Sequence, residues 1–203
     1  MFEKYNNKDS IALLQAAKKG GISVEEAILR RRSIRRYSRK PLSLREISQI
    51  LWSASGVTSN RGYRAAPSAG ATYPIEIYML VINVEDIEPG LYHFNYENHS
   101  INFCKNIESL KPFVSAALGQ DFISEASINI IITAEFSRTT SIYGNRGNRY
   151  VWMEAGHIAE NISLQAESLG LGTVVIGAFY DDELKKFLNI KEEPLCIMPV
   201  GGH

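Results

Sequence analysis

The sequence has little of what builds disulfide frameworks and metal clusters. Its 203 residues include two cysteines, Cys104 and Cys196, which are far apart in the chain. Isolated cysteines exclude a disulfide scaffold and a cysteine-based zinc cluster, and they favour reduced thiols in a cytosol. None of the four histidines has another histidine at a spacing typical of a metal site. We therefore predict no bound metal and a cytoplasmic location.

Long apolar runs and an excess of one charge are also absent. The longest apolar stretches, such as residues 128–134, are strand-sized, whereas a membrane span needs about 20 residues. Residues 1–5 lack the pattern of a secretory signal. The 22 basic residues are balanced by 22 acidic ones, which argues against a nucleic-acid partner. With no linker-like stretch, we predict one domain over residues 1–203.

Two capping boxes mark helix starts. Ser23 stands three residues before Glu26, and Ser43 stands three residues before Glu46, so each serine can accept a backbone hydrogen bond while the glutamate reaches back. The first predicts a short helix. The second predicts a helix that ends near Gly56.

The longest predicted helix runs from about residue 149 to 169. Its apolar stripe is widened by Trp152 and Gly156, so we expect burial around much of its circumference. His157 on this helix is expected to lie in the core, whereas His93 and His99 are expected at the surface. The polar residues 141–150 are expected to form a loop.

The remaining sequence patterns predict six strands and two further short helices. Together they indicate an α+β fold, with a mixed β-sheet flanked by helices. The predicted strands are 75–82, the hairpin 90–96 with 100–104, the interior strands 128–134 and 173–177, and 195–200; the further helices are 110–118 and 181–188.

A basic run occupies residues 30–40, where seven of eleven residues are basic. Arg31 and Arg35 are four apart, so a helical turn would place both guanidinium groups on one side, with the hydroxyl of Ser33 between them. Guanidinium groups suit bidentate contacts with phosphate oxygens. A solvated charged surface or a nucleic-acid patch is the alternative.

Two small-residue segments could approach a flat ligand closely. Residues 64–74 carry Ser68, whose hydroxyl could bond a ring edge or a ribityl group, and a plain turn is the alternative. In residues 169–179, Gly177 and Ala178 could present backbone N–H groups at a strand end. The alternative there is a helix end followed by a strand.

In order and spacing, these segments resemble the flavin-dependent nitroreductase superfamily, and most closely its SagB-type dehydrogenase branch. The resemblance covers roughly residues 25 to 202. The motifs that carry it are Arg31-Arg32-Ser33-Ile34-Arg35-Arg36-Tyr37, Pro67-Ser68-Ala69-Gly70-Ala71-Thr72-Tyr73-Pro74, Ala117-Leu118-Gly119-Gln120, Arg149-Tyr150, Glu154-Ala155-Gly156-His157, Gly170-Leu171-Gly172, Ile176-Gly177-Ala178-Phe179 and Pro199-Val200-Gly201.

The resemblance implies FMN bound in an intertwined homodimer, with two-electron transfer through flavin N5 and NAD(P)H as reductant. It also implies that residues 67–69 reach the flavin of the partner subunit. The cofactor-binding residues implied are Arg31, Arg32, Ser33, Arg35, Pro67, Ser68, Ala69, Gln120, Ile176, Gly177 and Ala178. Arg149 and Tyr150 are the candidates for proton donation or substrate positioning, although Arg149 could instead neutralise the helix end.

The sequence departs from the family after Pro199-Val200-Gly201. Many relatives carry an arginine or lysine there that contacts phosphate, so this contact is absent here or falls to His203. The substrate is a small molecule or a peptide. Oxidation of azoline rings in a modified peptide, coupled to oxygen, and a non-catalytic flavin carrier remain as alternatives.

Overall fold

The computed structural model describes residues 10–203 and places a seven-stranded sheet between two layers of helices. Residues 1–5, considered above for a secretory signal, lie outside this range. The strands are β1 (Ser10–Ala12), β2 (Ile75–Val81), β3 (Gly90–Asn95), β4 (Ser100–Lys105), β5 (Ile128–Ala134), β6 (Gly172–Thr173) and β7 (Glu193–Gly201). The helices are α1 (Val24–Arg30), α2 (Leu44–Ser55), α3 (Lys111–Ala116), α4 (Ser137–Tyr143), α5 (Gly147–Ser168) and α6 (Asp181–Leu188).

The second capping box forms as predicted and the first forms in part. Ser43 Oγ accepts from the Glu46 amide at 3.3 Å, and the Glu46 carboxylate accepts from the Ser43 amide at 2.7 Å. Such a cap stabilises a helix by about 1 kcal/mol. Ser23 likewise accepts from the Glu26 amide, but the carboxylate of Glu26 pairs with Arg30 one turn later.

The strand order is β1-β4-β3-β2-β5-β7-β6, and every neighbouring pair is antiparallel. Within residues 10–203, parallel pairing is confined to two isolated bridges, Ser33 with Thr173 and Leu42 with Val84. The predicted α+β class is confirmed.

Both faces of the central strands are buried, because alternate residues enter two separate cores. In β5, Ile130 and Ile132 join the core beneath α2 and α5, whereas Ile131 joins the core beneath α3 and α6. Fully burying such a side chain contributes about 1.5–3 kcal/mol. This explains why the strand sequence is apolar without alternation.

Three sequence predictions need correction. Residues 173–177 do not form an interior strand: β6 lies at the sheet edge and ends at Thr173, and Ile176 pairs only as an isolated bridge with Ile197. Residues 141–150 are not a loop, because α4, a 3-10 turn and the start of α5 occupy them. The helix predicted over 110–118 is shorter, because Leu118 and Gly119 both adopt positive φ.

Helix α5 is buried along one side only. Val151, Ile158 and Ile162 are at most 1% exposed and pack onto the sheet. On the opposite side, Trp152 is 54% exposed and Met153 is 53% exposed. The expectation of burial around most of the helix is therefore wrong within one protomer.

Gly172 tests how tightly the edge strand packs. A Cβ at this position would lie 2.7 Å from Cγ2 and 2.8 Å from Cβ of Ile34, so the chain would have to shift. We expect Gly172→Ala to lower the free energy of unfolding by about 1–3 kcal/mol, as overpacking does. Urea denaturation checks this against Gly21→Ala, where nothing lies within 4 Å. Equal midpoints for the two variants would contradict the packing described.

Candidate functional site

The basic segment and the second small-residue segment, residues 169–179, meet at the sheet edge. The amide of Ile34 donates to the carbonyl of Thr173 at 2.9 Å, and Ser33 bridges Thr173 in parallel. A few residues later, the amide of Ser38 donates to the carbonyl of Gly202 at 2.7 Å. The segment after α1 is thus fixed to β6 and to the chain after β7.

The basic segment is not helical beyond α1. Helix α1 ends at Arg30, and Arg31 has φ −45° and ψ 124°. The expectation that a helical turn brings Arg31 and Arg35 together is therefore wrong. The contacts of this segment place Ser33 beside Thr173, through the parallel bridge, and the side chain of Ile34 against Gly172.

Most arginines of this segment form no ion pair with a carboxylate of the described chain, so their positive charges are available to a ligand. Within residues 10–203, Arg31 and Arg35 form no ion pair. Arg32 donates to the carbonyls of Leu29 and Arg31, at 3.0 and 2.8 Å. Such a group of cations without carboxylate partners suits an anion.

Two further groups lie beside this segment. Nδ1 of His203 lies 3.1 Å from the place where a Cβ of Gly172 would stand, so this side chain borders the predicted phosphate end. The Thr173 hydroxyl is buried and has no hydrogen-bond partner within the described chain. An orphaned buried hydroxyl is uncommon in a finished protein interior and is consistent with a polar ligand nearby.

The chain after Ile176 forms an open ledge. Ile176 exchanges two backbone hydrogen bonds of 2.9 Å with Ile197, and Gly177 and Ala178 beyond it are exposed. Nothing lies within 4 Å of a Cβ built on Gly177. Gln120 donates to the carbonyl of Ala178 at 3.1 Å. This residue, which was predicted to bind the cofactor together with Gly177 and Ala178, therefore lies at the same ledge.

Pro67, Ser68 and Ala69 lie elsewhere, against the first half of α5. The pKa of Glu154 on that helix is influenced by a hydrogen bond with Ser68. The hydroxyl of Thr72 bonds that of Thr139 at 2.8 Å, which ties the same loop to α4.

The two proposed catalytic residues open α5. Arg149 is exposed and Tyr150 is half-buried. The ring of Tyr150 packs edge-on against Tyr143, with 5.1 Å between ring centroids and an interplanar angle of 89°. A Cβ at Gly70 would lie 2.6 Å from the Tyr143 hydroxyl, so this aromatic pair adjoins the loop that carries Ser68.

A buried ionic group escaped the sequence analysis. Glu76 on β2 bonds Nε2 of His93 at 2.8 Å and pairs with Arg138 of α4 at 2.6 Å. Burial alone would raise the pKa of Glu76, but the hydrogen bonds and charges of His93 and Arg138 hold it below its usual value. His93 is therefore not a free surface residue, and His157, expected in the core, is exposed.

Arg64 and Glu154 are two further ionisable residues that influence each other, the first half-buried and the second buried. The guanidinium of Arg64 lies 3.3 Å from the ring centroid of Tyr96 and 4.0 Å from that of Tyr73. Its burial lowers the pKa of Arg64. Glu154 is 5% exposed, and burial raises its pKa to about 7 against the opposing effects of Ser68 and Arg64. A carboxyl group poised near neutrality is a frequent feature of functional sites.

One cavity of the described chain is lined by none of the predicted cofactor residues. It has a volume of about 520 Å³ between the chain before α1, α2 and the second half of α5, with Gln49, Trp52 and Gln165 in its lining. Within residues 10–203, no cluster of three histidine, cysteine or acidic residues could hold a metal ion. In the same range, no helix is both long and apolar enough to cross a bilayer.

Comparison with known sequences identifies the family. The sequence model described as the Nitroreductase family matches residues 28–202. MJ1384 of Methanocaldococcus jannaschii, a protein named as a nitroreductase, is 52% identical over 180 residues, 89% of this chain and 91% of that protein. The microcin B17-processing protein McbC of Escherichia coli is 25% identical over 211 residues, 98% of this chain and 78% of McbC.

Solved structures agree in fold. A crystal structure from Ralstonia eutropha, also named as a nitroreductase, has a TM-score of 0.83 at 27% identity and covers 96% of this chain and 89% of its own. A chain of the E. coli microcin synthetase McbBCD complex, with truncated pro-MccB17 bound, has a TM-score of 0.74 at 24% identity, covering 92% of this chain and 75% of its own. The chain belongs to the nitroreductase family and is an oxidoreductase, with McbC-type peptide-processing proteins among its relatives.

Proposed function

We propose that this protein is an FMN-dependent oxidoreductase that transfers two electrons through flavin N5 and takes them from NAD(P)H. The observation that carries the proposal is the junction at the sheet edge. There, Ser33 and Ile34 join the arginine segment to Thr173, four residues before the open ledge at Gly177, and within residues 10–203 Arg31 and Arg35 form no ion pair. An FMN site needs two features, which are groups that bind the phosphate and an open surface that the flat ring can approach.

The arginine segment would hold the phosphate and ribityl end. Within residues 10–203, Arg31 and Arg35 form no ion pair and so offer guanidinium groups without competing carboxylates, and the exposed Ser33 between them offers a hydroxyl. His203 borders this end and could supply the phosphate contact that many relatives take from a basic residue. Arg32 keeps donors beyond the two that its local carbonyls use.

The ledge would hold the ring edge. The amides of Gly177 and Ala178 make no hydrogen bond to the described part of the chain, so both are available as donors. Gln120 fixes the Ala178 carbonyl and thereby the orientation of that peptide. The two backbone hydrogen bonds between Ile176 and Ile197 fix the position of the ledge relative to β7.

FMN, when bound, supplies the redox chemistry, and the protein supplies position and electrostatics. Donors fixed before the reaction stabilise charge that develops on a bound group without having to reorganise. Tyr150, whose ring contacts that of Tyr143, would donate a proton, and Arg149 beside it would bind an anionic substrate group.

The arrangement of α5 supports a site shared between two copies of this chain. Ser68 attaches to α5 at Glu154, whereas the ledge strand attaches at its far end, where the amide of Leu171 donates to the carbonyl of Ala166 at 2.8 Å. Twelve helical residues separate those points, about 18 Å at 1.5 Å per residue. A homodimer that covers Trp152 and Met153 would bring residues 67–69 of one protomer toward the arginine segment of the other.

A second candidate is the oxidation of azoline rings in a peptide, with oxygen as acceptor. McbC, named for microcin B17 processing, aligns with 98% of this chain, and this observation favours that candidate. A peptide carrying thiazoline rings would be oxidised by the purified protein in the absence of NAD(P)H if this candidate is right.

The proposed function predicts a coloured protein. Purified under mild conditions or reconstituted with FMN, it should show a flavin absorption spectrum that NADH or NADPH bleaches without oxygen and that air restores. A yellow protein that neither nucleotide bleaches, but that light and a donor reduce, would point to the azoline oxidase or to a flavin carrier. Absence of FMN binding would refute the proposal.

The phosphate assignment predicts a loss of affinity in two variants. Arg31→Ala and Arg35→Ala each remove a charge-assisted contact worth about 1.5–3 kcal/mol. The Kd for FMN should therefore rise about ten- to a hundredfold, measured by titration of apoprotein. Arg39→Ala, an exposed change in the same basic run, should leave the Kd unchanged. Equal affinity in all three variants would place the phosphate elsewhere.

A further inference from the structure

The cavity of about 520 Å³ between the chain before α1, α2 and α5 combines apolar and polar walls. Pockets that bind small organic molecules commonly enclose about 300–1,000 Å³ and place a few polar groups on apolar walls. Trp52 and Leu164 contribute apolar surface here. Gln49, Gln165 and Ser168 contribute polar groups, and the hydrogen bonds that these groups already make determine which donors remain for a ligand.

A chain of hydrogen bonds fixes the orientation of Gln165. The buried side-chain amide of Gln49 accepts from the backbone amide of Ala17 at 2.8 Å and donates to the carbonyl of the same residue at 3.2 Å. This pairing admits one orientation of the Gln49 amide, which also donates to Oε1 of Gln165 at 3.0 Å. The NH₂ group of Gln165 therefore remains as a donor at the cavity, without a partner within residues 10–203.

The chain before α1 supplies further donors. The backbone amides of residues 18–22 make no hydrogen bond to the described part of the chain. Oγ of Ser168 lies 3.0 Å from the position where a Cβ of Gly20 would stand, so this hydroxyl borders the same segment. Ser168 follows Gln165 by three residues and shares its side of α5. Helix and segment thus present donors to one region of the cavity.

The charges that line the cavity have one sign. Lys18, Lys19 and Arg45 belong to its lining, whereas no aspartate or glutamate does. None of these three cations forms an ion pair within residues 10–203. A cleft lined by one sign of charge concentrates ions of the opposite sign. The half-buried ring of Trp52 offers a surface on which an aromatic ring packs favourably.

We propose that this cavity binds an organic carboxylate with an aromatic body, the carboxylate facing Gln165 and Ser168 and the body facing Trp52. The site is additional to the proposed flavin site, because none of the predicted cofactor residues lines it. The inference therefore goes beyond the proposed function and does not depend on it.

The test is an NMR titration of the full chain, with FMN present, using 1-naphthoate as the probe. The uncharged 1-naphthalenemethanol has the same ring system and serves as the matched neutral probe. Naphthoate should shift the side-chain amide of Gln165 and the backbone amides of residues 18–22. The neutral probe should bind at least about tenfold more weakly, because hydrogen bonds to a charged group are the stronger ones.

Gln165→Glu separates the donor from the shape of the side chain. Glutamate can still accept from Gln49, but it replaces the free NH₂ group with a negatively charged oxygen. Its Kd for naphthoate should rise more than about tenfold, with the Kd for the neutral probe unchanged. Asn98→Asp, which adds the same charge at an exposed position of the β3–β4 turn, should change neither value.

A second variant keeps the test valid if Gln165→Glu does not fold. Lys18→Gln combined with Lys19→Gln changes two exposed side chains and should weaken naphthoate about fivefold, with no effect on the neutral probe.

Four results would overturn the proposal. They are equal affinity for the two probes, unchanged naphthoate affinity in the folded Gln165→Glu protein or in the double lysine variant, shifts confined to residues outside the cavity, and shifts of the same amides by FMN alone. The last result would assign the cavity to the cofactor.

Discussion

Helix α5 has two apolar sides that need different partners, and the packing of the sheet and of the candidate site depends on both. One side is packed into the core over the sheet, and the other exposes Trp152 and Met153. Neighbouring large apolar side chains exposed on one helix are a feature of surfaces that bind another protein. We propose that a second copy of the chain covers them and completes a site whose two halves contact this helix at Glu154 and at Ala166.

The buried charges explain how an irregular loop stays ordered beside that helix. Glu76, His93 and Arg138 form a satisfied ionic group behind the loop, and Arg138 also binds the Tyr73 carbonyl. Removing one member of such a group leaves an uncompensated buried charge. Glu154 differs, because burial raises its pKa to about 7 and outweighs the opposing effects of Ser68 and Arg64.

The sequence predicted the regular parts of the fold well, because their causes are local. Ser43 with Glu46 started α2, and the unbroken apolar run of β5 indicated a strand buried on both faces. The edge strand was predicted too long, because Val174 and Val175 have strand propensity, and only the sheet topology shows that they pair with no strand in the described part of the chain.

The site residues likewise divide into those that a local motif predicts and those that only the three-dimensional packing shows. Motif resemblance named Arg31, Arg35 and Gly177, and the structure brings their segments to one sheet edge through contacts between distant parts of the chain. The buried acids were missed, although a signal existed: Glu76 interrupts an apolar strand and Glu154 lies on the apolar stripe of α5. A charged residue at a core position is rarely left unpaired.

A subunit-mixing experiment tests the shared site most directly. One variant, Arg35→Ala, damages the phosphate end, and another, Pro67→Trp, blocks the exposed loop position that would face the partner's flavin. If each site takes residues from both protomers, a mixed dimer has one doubly damaged site and one intact site. Random mixing should then restore FMN binding at about a quarter of all sites, although neither variant binds FMN tightly alone. No recovery on mixing, with mixed dimers present by mass spectrometry, would contradict the account.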